Sequence, residues 1–117
     1  MIEHSLALGT CRTADDLRAV MRQRVVELNI SLDTVDHIAG LPTRYCAKVL
    51  GLQPTRGFGQ FSLDGLLGAL GLMLIVVEDA EALARIQGRL VQLERIDQHG
   101  WRAALRDQTP EVTDAAA

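Results

Sequence analysis

The sequence predicts a mainly α protein: a small helical bundle, then a short β-strand, then a C-terminal amphipathic helix. Three observations predict it. Apolar side chains recur at helical spacing, as in Leu17, Met21, Val25 and Leu28. Residues that favour helix N-caps, Thr13, Ser31 and Ser62, stand just before such runs. Hydrophobic residues make up 48% of the chain but aromatics only 3%. A core of Leu, Val, Ile and Ala suits packed helices better than a β-sandwich.

The elements follow in chain order. Ile2, His4, Leu6 and Leu8 alternate, which predicts an N-terminal arm or short strand within residues 1–12. Thr13 caps a first helix over Ala14–Leu28, with Asp15 and Asp16 in the turn where the helix dipole favours acids. Ser31 caps a second helix, Leu32–Ala39, with Val35, Ile38 and Ala39 facing inward and Gly40 stopping it. Pro42 suits a first turn, so a third helix is expected across 42–50. Gly51, Pro54, Gly57 and Gly59 mark a loop. Ser62 is expected to cap a fourth helix, Leu63–Leu70, closed by Gly71. These elements make up a domain over 13–71.

A second region, 72–108, is read as an interface. Leu72–Val77 is short and β-branched and is expected to be a strand. Leu83, Ile86, Leu90 and Leu93 recur at steps of three and four, a heptad-like seam on one amphipathic helix. Trp101 and Leu105 belong to a further short helix after Gly100, and the tail 109–117 is expected to be disordered.

Composition excludes several classes. No apolar run approaches the length of a membrane span. The start, Met1-Ile2-Glu3-His4, lacks the basic segment of a signal peptide, so a cytoplasmic protein is expected. Cys11 and Cys46 are far apart and the three histidines are isolated, so neither a metal site nor a structural disulfide is expected. Gly57-Phe58-Gly59 is not followed by Lys-Ser/Thr, so it is no nucleotide loop. No nucleophile is set beside a base. Neither enzymatic activity nor a cofactor is expected.

Charge points elsewhere. The chain has a net charge of −3, yet Arg12 to Arg56 holds seven basic residues against five acidic ones. His37 to Leu63 contains no acid, and Arg44, Lys48 and Arg56 fall there. A locally basic stretch in an acidic frame is what a compact DNA-reading face needs.

Ser31 to Leu50 carries the functional reading. Two short helices joined by a tight turn around Gly40 match the helix-turn-helix pattern. Thr43, Arg44, Ala47 and Lys48 are left pointing outward on the third helix. An arginine there can donate two hydrogen bonds to guanine, and a lysine can meet a base or a phosphate. Tyr45 and Arg56 are further candidates for phosphate contact.

The run from Leu17 to Leu50, LRAVMRQRVVELNISLDTVDHIAGLPTRYCAKVL, resembles the lambda-repressor-like helix-turn-helix family of the Cro/C1, xenobiotic-response-element type. Phe61 to Leu74, FSLDGLLGALGLML, is similar to the same family's closing helix. The resemblance covers about half the chain. It implies a sequence-specific transcriptional regulator, expected to be a repressor, with Thr43, Arg44, Tyr45, Lys48 and Arg56 on double-stranded DNA. The strand after the fourth helix resembles that of certain antitoxins, where it pairs with its twin. A homodimer on a near-palindromic operator is expected, joined through Leu72, Leu74, Val76, Leu83, Ile86, Leu90 and Leu93. Asp36 stands where the family prefers a small residue. With the acidic second half, it motivates the alternative: a protein-interaction module, or an antitoxin binding a partner such as a toxin through 72–105.

Overall fold

A computed structural model describes residues 7–93 and 100–108. The described chain is mainly helical. Helices α1 (Ala14–Leu28), α2 (Leu32–Ala39), α3 (Tyr45–Leu50) and α4 (Gln60–Ala69) lie in one compact unit that runs through Ile75. Helices α5 (Ala80–Ile86) and α6 (Trp101–Gln108) lie in a second unit that begins at Val76.

Helix α1 spans the residues its apolar spacing predicts, and its start is doubly capped. Thr13 Oγ1 accepts from the Asp16 backbone N–H at 3.1 Å. Asp16 Oδ2 in turn accepts from the backbone N–H groups of Arg12 (2.9 Å) and Thr13 (3.2 Å). The Arg12 N–H bond is the main reason the Asp16 carboxyl sits below the usual carboxylate range. Asn29 closes the helix in the left-handed region, with φ 55°.

Helix α2 also matches its expected span. Ser31 caps it, and Gly40 ends it at φ 70°, where a residue with a Cβ pays a steric cost. The face it buries differs from expectation. Val35 and Asp36 are buried, whereas Ile38 is 56% exposed. Asp36 turns inward because its carboxylate has a backbone partner on α3.

Helix α3 is shorter than expected. The stretch Pro42–Arg44 is a turn, closed by the Tyr45 N–H donating to the Pro42 carbonyl at 3.1 Å. Arg44 has φ 66° and ψ 12°, as the third residue of a type II turn does, and cannot start an α-helix from there. Helix α4 instead begins earlier than expected. Gly59 occupies the N-cap position, and Ser62 lies inside the first turn. The Ser62 hydroxyl accepts from the Gly59 N–H at 2.7 Å and donates to the Gly59 carbonyl at 3.0 Å.

Met21 and Val25 from α1, Val35 from α2, Cys46, Val49 and Leu50 from α3, and Leu66 and Leu70 from α4 and its end form the buried core. Helices α2 and α4 approach closely because small residues meet there. A Cβ at Gly65 would lie 3.0 Å from the Ala39 carbonyl oxygen.

The second region departs from expectation. No β-strand occurs among the described residues, and 72–79 is irregular. A strand needs a ladder partner. The described part of the N-terminal arm, 7–12, offers none; residues 1–6, like the tail 109–117, lie outside the described residues. Leu72 packs against the core, while Leu74 and Val76 are 51% and 97% exposed. The expected seam is also only partly helical. Leu83 and Ile86 lie on α5, which passes into a 3-10 turn at Gln87–Arg89. Gly88 is a poor helix residue, and it interrupts the run before Leu90 and Leu93. Helix α6 carries Trp101 and Leu105 as expected.

Candidate functional site

Helix α3 is held in place by side chains from two other helices. Its own N-cap residue, Arg44, makes no capping hydrogen bond through its side chain. Asp36 of α2 replaces it: the Cys46 backbone N–H donates to Asp36 Oδ1 at 2.8 Å, inside the protein. At the other end Arg22 of α1 donates through Nη1 to the carbonyls of Leu50 (3.3 Å) and Gly51 (3.4 Å). These bonds satisfy orphan groups that a six-residue helix has in excess. Sequence reasoning missed both partners. Asp36 is ten residues from Cys46 and Arg22 twenty-eight from Leu50, so no local pattern announces them.

The loop after α3 folds back on it. The Lys48 carbonyl accepts from the Thr55 N–H at 2.9 Å and from the Arg56 N–H at 3.2 Å. The Arg56 guanidinium consequently lies over the Tyr45 ring, 5.5 Å from its centroid. Tyr45 and Lys48 are three apart on α3 and share a face. Thr43 and Arg44 lead directly into the helix. Thr43, Arg44 and Lys48 are exposed and Tyr45 is half-buried. The five candidate residues therefore belong to one continuous piece of structure: a turn, a helix and the loop tied to it.

Other basic side chains of this unit are occupied within it. Arg18 pairs with Asp15 and lies over the Phe58 ring, 5.3 Å from its centroid. Arg24 donates through Nε to the Leu70 carbonyl at 2.9 Å and pairs with Glu27 at 3.5 Å. Arg22 closes α3. The basic count between Arg12 and Arg56 thus overstates the charge presented outward, and Arg44, Lys48 and Arg56 carry most of what matters near α3.

Cys46 is fully buried between α3 and Asp36. Burial first, then the neighbouring Asp36 carboxylate, push its thiol from the ordinary 9.0 up to about 12. It stays protonated at neutral pH and is an inert thiol. Cys11 is exposed. Iodoacetamide is therefore expected to add one carbamidomethyl group to the native protein, at Cys11, and two in denaturant. Peptide mass mapping reads this, and rapid native labelling of Cys46 would contradict its burial.

Among the described residues, no group of three or more His, Cys, Asp or Glu side chains is arranged to hold a metal ion. No helix there is long and apolar enough to cross a membrane. No family model, curated protein or solved structure matches this chain.

Proposed function

We propose that this chain is a lambda-repressor-like helix-turn-helix protein that reads double-stranded DNA as a homodimer. One observation carries the reading: the turn, α3 and the loop tied to it hold Thr43, Arg44, Tyr45, Lys48 and Arg56 in one continuous piece of structure beside a buried core, within a run of sequence that contains no acid. A reading helix presents its N-terminal residues to base edges. Arg44 and Thr43 stand at that end of α3, and Lys48 and Arg56 suit the flanking phosphates. Affinity drawn from phosphates falls steeply with salt. Regulation of transcription, as a repressor, is the role this chemistry suits.

The second unit supports self-association. None of its described side chains is buried, and Val76, Val91 and Trp101 are 97%, 92% and 66% exposed. Apolar side chains exposed in this way are stabilised when a partner covers them. A second copy does this symmetrically and sets two half-sites about 34–36 Å apart on a near-palindromic site. The same exposed surface favours the alternative reading, a module that binds another protein, such as a toxin, through 72–105.

Selection from random duplexes at low salt tests the DNA reading, with enrichment of a two-fold site as the expected result. Arg44→Ala is then expected to weaken binding by roughly 1–3 kcal/mol. Arg44→Gly is the sharper variant. Glycine accepts φ 66° without strain, so the fold is kept while the guanidinium is lost. Wild-type affinity in Arg44→Gly, or no enriched site at all, would sink the proposal.

A further inference from the structure

Among the described residues, the guanidiniums of Arg18, Arg56 and Arg102 lie over aromatic rings. Arg102 lies over Trp101, its neighbour in the chain. Arg18 lies over Phe58, and Asp15 meets its charge. Arg56 over Tyr45 is the different case. The two are far apart in sequence, and no described carboxylate pairs with Arg56.

Two anchors fix Arg56 along α3. Its backbone N–H donates to the Lys48 carbonyl at 3.2 Å, and the Thr55 N–H shares that oxygen at 2.9 Å. Its guanidinium reaches back to Tyr45, 5.5 Å from the ring centroid. Tyr45 opens α3 and Lys48 lies three residues on, so the side chain runs back along about 4.5 Å of helix rise. That direction leads toward Thr43 and Arg44. Contact with a ring face consumes none of the N–H donors of a guanidinium. The charge is held in place and left able to bond an anion.

We infer that Tyr45 is a positioning residue: its ring holds the Arg56 guanidinium beside the first turn of α3, ready for a phosphate of the duplex. The inference rests on the DNA reading proposed above. It moves Tyr45 from making a phosphate contact to supporting the residue that makes one. Gln53 to Gly57 are exposed and belong to no helix, so without the ring only the backbone bond to Lys48 localises Arg56. A free arginine has rotamer freedom that a phosphate contact must remove, and the stacked one has already given up much of it.

The test measures binding of the full chain to the duplex enriched by selection, across a salt series. Tyr45→Leu is expected to weaken binding about two- to fivefold. Arg56→Ala is expected to weaken it at least as much and to lower the slope of log affinity against log salt by about 1. In the Arg56→Ala background, Tyr45→Leu is expected to have no further effect, a result that a merely structural role does not produce. Tyr45→Phe keeps the ring and is expected to bind as wild type, which keeps the test decisive if Tyr45→Leu fails to fold. A readout without DNA accompanies these: the Arg56 δ-methylene protons are expected upfield, by ring current, in wild type and Tyr45→Phe. Equal losses from Tyr45→Leu in both backgrounds, weakened binding in Tyr45→Phe, or no ring-current shift would overturn the positioning role and leave the DNA reading standing. A wild-type protein that binds no duplex would overturn both, even with the ring-current shift in place.

Discussion

Leu66→Ala is expected to destabilise the protein by about 2–5 kcal/mol, measured as the shift in a urea unfolding midpoint at constant slope. Leu66 has no exposed surface and lies among seven other buried side chains drawn from all four helices of its unit. Truncation removes transfer free energy and leaves a cavity that the neighbours fill only in part. Total stability for a domain of this size is about 5–15 kcal/mol, so one leucine accounts for a large share. Phe61 supplies the control on the same helix. It is 89% exposed, and Phe61→Ala is expected to change stability by no more than about 0.5 kcal/mol. Matching midpoints for the two variants would contradict the core assignment.

Asp36→Ala is expected to cost about 3 kcal/mol, despite removing a charge from the interior. The Cys46 N–H would be left buried without an acceptor, and a charge-assisted hydrogen bond at the start of a helix would be lost. Asp36→Asn keeps an oxygen in place and is expected to lose less than half as much. Thermal unfolding of the three proteins, with amide exchange at Cys46 as the local probe, reads the order. An Asp36→Ala protein as stable as wild type would show that the carboxylate does not hold α3.

The first two helices were legible because their signals are local. Thr13 with Asp16 and Ser31 with Thr34 act within one turn, and Asn29 and Gly40 end their helices through their own backbone angles. The start of α3 was not legible from Pro42, because a proline serves a turn as readily as a helix. The choice was made by Arg44 entering the left-handed region and by a cap arriving from α2. Ser62 misled for a related reason. Its hydroxyl reaches back to Gly59 from within the helix rather than from its cap. The apolar run 72–77 has strand composition, but a strand is a relation between two segments, and its composition names no second one. The candidate site was legible as a list of residues; the link between Lys48 and the Arg56 loop, which makes the list a surface, runs through a backbone carbonyl that any residue possesses.

The two foreign caps on α3 bear on how this segment can be moved. Six residues are too few to hold a helix in water unaided. Grafting Tyr45–Leu50 into another scaffold would transplant a sequence without its conformation. The portable unit is larger and discontinuous: the α3 segment through Gly51, with an acid in the place of Asp36 and a guanidinium in the place of Arg22. Any exchange of surface residues between such scaffolds has to respect those two anchors, and changes confined to the outward positions 43, 44, 47 and 48 leave them intact.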